Sequence, residues 1–195
     1  MTYCTQRGKK SGSSAVYDLL AHAYHLENGG ELPEIKKSIH GKPYFPYSPG
    51  IHFSLSHSVT HVLCALSGNP VGCDIESPRM ISNRVLTYFS TPAELELFEP
   101  LELWVLKESY VKLYGRTIAS IRDLRLSRYG DDIVISAGRF SADPRSGVSS
   151  ATGNKEGHPL MSEDRSPVFK TYKIDDCIAA VCSLSDDLSA PLIYV

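Results

Sequence analysis

The stretch Val71-Gly72-Cys73-Asp74-Ile75-Glu76 constrains this chain more than any other. It reads as a short strand. Successive side chains on a strand point to opposite faces, so Asp74 and Glu76 share one face while Ile75 turns into a core. Two carboxylates that close repel unless water screens them or a cation lies between them. Two readings fit the pair. One is an exposed acidic edge on an ordinary strand. The other is a set of hard oxygen donors of the kind Mg²⁺ takes, with waters and phosphate oxygens completing its octahedron.

At 195 residues the chain is long enough for one large domain or two small ones, each with a real core. Hydrophobic residues at 42% and charged residues at 22% describe a soluble globular protein. A net charge of −2 gives no argument for nucleic acid. No apolar run approaches the roughly 20 residues that span a bilayer, and no secretory signal pattern opens the chain. The expectation is a cytoplasmic protein without membrane contact. The five cysteines, Cys4, Cys64, Cys73, Cys177 and Cys182, are odd in number and form no C-x-x-C pair. They read as buried, reduced small hydrophobes and not as a disulfide framework or zinc site. The histidine pairs His22/His25 and His57/His61 do not change that reading.

The first eight or so residues are polar, with Arg7, Lys9 and Lys10 as a small basic cluster. Ser11 to Ser14 then offer caps for a helix over about Ala15–Leu26, in which Val16, Leu19, Leu20, Ala23 and Tyr24 recur at helical spacing. Asn28-Gly29-Gly30 stops it. Cations before a helix N-terminus suit a phosphate; a solvated tail explains them equally. Gly41-Lys42-Pro43 marks a turn. Ile51 to His57 alternates as a strand with one polar face, and His61 to Ala65 is a second strand before Asp74. The first half is therefore expected to be a helix followed by an antiparallel meander, an α+β unit. In the second half, Ser90 or Thr91 caps a helix with Pro92 early in it. Leu101 to Tyr114 is the longest helical pattern, and strands are expected at 124–126, 133–136, 169–172 and 177–184. The segment Ser141–Pro167, rich in Ser, Gly and Pro, reads as a flexible loop. A faint echo between 62–67 and 179–184 hints at two similar lobes.

Trp104 through Lys112 sharpens the reading. Glu108 and Lys112 are four residues apart on one helix face, which by itself is an ordinary ion pair. That ordinary pair leaves Lys107 unexplained and says nothing of Asp74. A functional reading uses them all: Glu108 joins Asp74 and Glu76 around one Mg²⁺, while Lys107 and Lys112 hold phosphate oxygens. Phosphoryl transfer needs such positioning and charge neutralisation.

Gly41-Lys42-Pro43, Phe53-Ser54-Leu55-Ser56-His57-Ser58, Gly72 to Glu76, Phe89-Ser90 with Glu94, and Trp104 to Lys112 follow in that order. The ordered set resembles the 4′-phosphopantetheinyl transferases of the Sfp type, over roughly Arg7 to Gly115. The resemblance implies two pseudo-symmetric α+β lobes, each a small antiparallel sheet packed on a helix, over residues 1–78 and 79–195. Coenzyme A is expected in the cleft between them. It implies transfer of phosphopantetheine from coenzyme A to a serine of an apo acyl or peptidyl carrier protein, with release of adenosine 3′,5′-bisphosphate.

Carried over position by position, the resemblance makes Asp74, Glu76 and Glu108 the Mg²⁺ ligands. Lys107 and Lys112 contact cofactor phosphates, and Lys112 also stabilises the leaving group. Ser56 and His57 contact coenzyme A, Lys42 lies beside its adenine end, and Arg7 and Lys10 are candidate 3′-phosphate partners. Glu108 is the first candidate for the base and Glu94 the second, with Glu96 as an alternative alignment. Carrier recognition falls on an apolar patch near Phe89 to Phe98, and a monomer is expected. Two other classes remain open: a Mg²⁺-dependent phosphohydrolase acting on coenzyme A, and a binding module with a dead site. A Ser-His hydrolase fits poorly, because Ser56 and His57 are adjacent and G-x-S-x-G is absent.

Overall fold

The apolar run at 61–67 becomes the centre of a sheet because it is apolar on both faces. The structure, a computed structural model, describes residues 1–138, 166–184, 188 and 190–195. In chain order the elements are β1 (Thr2–Gln6), α1 (Gly12–Asn28), β2 (Lys36–Lys37), β3 (Pro43–Tyr44), β4 (His52–His57), β5 (His61–Ser67), β6 (Val71–Glu76), α2 (Asn83–Phe89), α3 (Pro92–Leu95), α4 (Pro100–Leu113), a 3₁₀ turn (Ile118–Arg122), β7 (Arg125–Tyr129), β8 (Asp132–Ala137), β9 (Val168–Ile174), β10 (Cys177–Ser183) and β11 (Leu192–Tyr194). The expected loop Ser141–Pro167 lies outside the described residues, save for its last two.

One sheet runs β11-β1-β5-β4 and a second runs β6-β10-β9, with β2-β3 and β7-β8 as separate pairs. On β5, Val62, Cys64 and Leu66 face α1, which contributes Ala15, Val16, Leu19, Leu20 and Ala23. The opposite residues, Leu63 and Ala65, meet Val71, Cys73 and Ile75 of β6 and Ala179 and Val181 of β10. The far face of the second sheet presents Ala180, Cys182 and Phe169 to α4 through Leu103, Leu106, Tyr110 and Leu113. Period-2 and period-3.6 patterning thus place one helix outside each sheet and a shared core between the sheets. No helix among the described residues is long and apolar enough to cross a membrane.

The expected α+β class holds, and its main helices lie close to their expected positions. Ser11 caps α1, accepting from Ser14 N at 3.3 Å, and Gly29 ends it at φ 69°. Thr91 and Glu94 form a reciprocal capping box on α3, with Pro92 just inside. Three expectations need correction. The polar N-terminal residues are not a tail: Thr2–Gln6 pairs antiparallel with β5, burying Tyr3 and Cys4 on opposite faces. The meander does not continue through Asp74. Both edges of β5 are taken by β1 and β4, so β6 pairs instead with β10, Asp74 opposite Ala180. The division at residue 78 also fails to follow the sheets, since β6 joins the second and β11 returns to pair in parallel with β1.

A fourth correction concerns two residues expected at the reaction site. Lys107 is 0% exposed and Glu94 2%. Lys107 Nζ lies 2.7 Å from Glu94 Oε1 and donates to Phe89 O at 2.6 Å and Leu124 O at 2.7 Å. Glu94 also accepts from Leu126 N at 3.0 Å and Thr91 N at 2.9 Å. Burial pulls the Lys107 ammonium down, and Glu94 pulls it back up. The pair ties α4 to the ends of α2 and α3 and the start of β7, so neither side chain is open to a phosphate or a carrier serine. Removing one partner leaves a buried charge alone. Lys107→Ala is expected to cost about 3–5 kcal/mol in urea denaturation. Weaker phosphate-ligand binding at unchanged stability would instead mark Lys107 as a binding residue.

Candidate functional site

β6 approaches α4 so closely that Gly72 has no room for a side chain. A Cβ there would stand 2.0 Å from Ser109 O and 2.4 Å from Leu113 N. This approach sets Asp74, two residues along the same face, against Lys112. Lys112 Nζ donates to Asp74 Oδ1 at 2.7 Å and to Ser56 Oγ at 3.0 Å, and Ser56 Oγ donates to the same Oδ1 at 2.7 Å.

Ser54 and Ser56 also stitch the sheets together. Ser54 Oγ accepts from Cys73 N at 3.0 Å, and Ser56 Oγ from Ile75 N at 3.3 Å. The polar face of β4 therefore satisfies amides of β6 that no strand pairs. Ser56 was expected at coenzyme A; here it is fully engaged in holding Asp74 and β6.

One oxygen of Asp74, Oδ2, is buried and has no hydrogen-bond partner, and the same holds for Glu108 Oε1. Burial pushes the Glu108 carboxyl up to about 7, with the charges of Asp74 and Glu76 adding to the effect and Lys112 opposing it. Burial lowers the Lys112 ammonium, but Asp74, Cys73 and Glu108 raise it by more, so it stays charged. Glu76 is turned aside. Its oxygens accept from Arg79 at 3.1 and 3.2 Å and from Trp104 Nε1 at 3.1 Å, and the Arg79 guanidinium lies over the Trp104 ring. Accordingly, no group of three or more His, Cys, Asp or Glu among the described residues is arranged to hold a metal ion. Two buried, unsatisfied carboxylate oxygens beside a third acid nevertheless suit a hard divalent cation.

The remaining candidates divide into two places. His57 lies across the N-terminus of α1, where a Cβ on Gly12 would be 2.6 Å from its ring. Arg7 enters the same corner, its N donating to Thr60 O and its Nε buried without a partner. Lys10 pairs with Asp18 at 2.5 Å on the surface. Lys42 is elsewhere: its Nζ donates to Leu113 O at 2.8 Å and Val71 O at 3.1 Å, clamping the end of α4 to the start of β6. Burial pushes its ammonium down to about 8. Lys42, expected beside an adenine, is thus a C-terminal helix clamp. Sequence reasoning missed Arg79 as a partner of Glu76. The signal was a cation three residues beyond an acid.

Glu108 makes a pH test possible. Its proton is held more tightly in the folded chain, about 7 against an ordinary 4.5. The associated stability is fully present below about 4.5 and is lost as pH rises through about 7. Glu108→Gln is expected to match the parent near pH 4.5. At pH 8 without divalent metal it should exceed it by about 1–2 kcal/mol, a gain of several degrees in Tm.

Comparison with known proteins points the same way. Residues 70–143, which include β6 and all of α4, match the family model of the 4′-phosphopantetheinyl transferase superfamily. The chain is 29% identical over 198 residues to 4′-phosphopantetheinyl transferase Sfp of Bacillus subtilis strain 168, covering 94% of this chain and 77% of that one. It is 30% identical over 131 residues to a 4′-phosphopantetheinyl transferase of Bacillus subtilis, covering 62% of this chain and 58% of the relative. It is also 35% identical over 115 residues to 4′-phosphopantetheinyl transferase gsp of Aneurinibacillus migulanus, covering 54% and 47%. Against these last two, then, the chain spans about half of the relative's length. A strand carrying Asp74 and Glu76 against a helix carrying Glu108 and Lys112 lies within the segment that is similar to the 4′-phosphopantetheinyl transferase superfamily.

Proposed function

We propose that this chain transfers 4′-phosphopantetheine from coenzyme A to a serine hydroxyl of an apo acyl or peptidyl carrier protein. The observation that carries the reading is the pair of orphaned buried oxygens, Asp74 Oδ2 and Glu108 Oε1, facing a charged Lys112. Asp74 and Glu108 would hold Mg²⁺, with Glu76 joining once it leaves Arg79. Bound there, the ion would neutralise phosphate charge as a Lewis acid.

The chain's own residues supply the rest. Ser56 and Lys112 fix one oxygen of Asp74 and so aim the other. The carrier serine oxygen attacks the β-phosphorus of coenzyme A, and the bond from that phosphorus to the adenosine bisphosphate oxygen breaks. Glu108, on α4 beside Asp74, takes the serine proton. Glu94, fixed in the interior, is not a base in this scheme. Lys112 neutralises charge on the departing phosphate. His57 lies across the N-terminus of α1, with Lys10 next to its cap in sequence, a setting suited to a terminal phosphate, with Arg7 as a further candidate.

The reading extends to two pseudo-symmetric lobes, a monomer and a cytoplasmic site of action. Phe89 and Phe98 are core residues, so carrier contact would fall on their exposed neighbours Tyr88, Leu95 and Leu97.

The test is the intact mass of an apo carrier protein incubated with this chain, coenzyme A and Mg²⁺, beside an EDTA control. A metal-dependent gain of one phosphopantetheine is expected. Loss of coenzyme A without carrier modification would indicate a hydrolase, and coenzyme A binding without either change a dead-site module. Asp74→Ala should lower transfer by roughly 100-fold or more, and Ser56→Ala should weaken Mg²⁺ binding by roughly tenfold.

A further inference from the structure

One cluster of reactive side chains lies outside that site. Cys177 opens β10 and is 1% exposed, yet its sulfur does not sit in an apolar setting. Thr60 Oγ1 lies 3.3 Å from it, Ser77 Oγ 3.5 Å, Ser58 Oγ 3.6 Å and His61 Nδ1 3.6 Å. The Asp176 carboxylate, at 3.5 Å, is the one member of this shell that opposes a negative sulfur. His61, itself buried, places Nε2 3.1 Å from Asp175 Oδ2 and 3.2 Å from Tyr194 OH. A carboxylate at Nε2 keeps the ring hydrogen there, which leaves Nδ1 as an acceptor between Thr60 Oγ1 at 2.9 Å and the sulfur at 3.6 Å.

Sulfur, imidazole and carboxylate therefore stand in the order nucleophile, base, orienting acid. Asp175 holds φ at 52°, in the left-handed region, at the turn between β9 and β10. A glycine would adopt that conformation without strain, so the carboxylate is retained at some conformational cost. Burial raises the thiols of Cys4, Cys64, Cys73 and Cys182.

A cavity of about 230 Å³ is lined by Thr171, Tyr172, Lys173, Asp176, Cys177 and Ile178, and the Asp175 side chain is 63% exposed. A sulfur this deep admits a small neutral oxidant and rejects a bulky disulfide. We propose that Cys177 is a peroxide-reactive thiol activated by His61 and Asp175. His61 takes the thiol proton, and the thiolate attacks one oxygen of hydrogen peroxide. An S–O bond forms as the O–O bond breaks, and the departing hydroxide takes the proton from His61 and leaves as water. Sulfur is oxidised by two electrons to the sulfenic acid, and the peroxide is reduced by two.

The experiment exposes the folded full chain to hydrogen peroxide for a timed interval, removes the peroxide, unfolds the chain in urea with dimedone present and maps the adducts by peptide mass spectrometry. Cys177 is expected to be labelled roughly tenfold faster than any other cysteine. His61→Gln should slow its labelling by roughly tenfold or more. Asp175→Asn, on an exposed turn, should slow it by roughly threefold or more with the fold intact by circular dichroism; it decides the matter if His61→Gln fails to fold. Labelling of Cys177 no faster than the others, or an unchanged rate in Asp175→Asn, would overturn the proposal.

Discussion

The approach of β6 to α4 at Gly72 is the constraint on which the rest depends. With 2.0 Å between an imagined Cβ and Ser109 O, any side chain at 72 would force strand and helix apart. Their separation sets where Asp74 meets Lys112 and how deeply Glu108 is buried. The seam on the other side of β6 depends on the same placement, because Ser54 and Ser56 reach its amides only when β6 lies at that height. A backbone contact thus determines the electrostatics of the site.

Two kinds of buried charge sit on α4, and they behave differently. Lys107 is matched atom for atom, by one carboxylate and two carbonyls, and holds neighbouring elements together. Glu108, the next residue, points to the opposite side of that balance: an oxygen without a partner and a proton affinity raised towards neutrality. Satisfied polar groups rigidify a fold, and unsatisfied ones next to like charges hold capacity for a ligand. The helix separates the two roles by one residue, about 100° around its axis.

Much of this was legible in the sequence, where the deciding physics is local. Alternation along 51–57 and 71–76 gave the strands and their faces, and Ser11, Thr91 and Gly29 marked helix ends. The shared face of Asp74 and Glu76 and the helical spacing of Glu108 and Lys112 followed from periodicity alone. What escaped depends on who lies opposite whom. β1 looks like a polar tail because its support comes from ladder hydrogen bonds to β5 and not from an apolar run. The fates of Lys107 and Lys42 turned on carbonyls distant in sequence, at Phe89, Leu124, Val71 and Leu113. Glu76 read as a ligand by alternation, but Arg79 and Trp104 reach it first.

The exchange of strands between the two halves bears on how the chain is made. β6, synthesised with the first sheet, must wait for β10, and β1 cannot be flanked on its outer edge until residues 192–194 have left the ribosome. Such long-range pairings delay the reward for ordering the chain. Vectorial synthesis therefore leaves β6 waiting until 177–183 emerge and β1 with an unpaired outer edge until 192–194 emerge. The last of the described strands is the one that covers the outer edge of the first sheet.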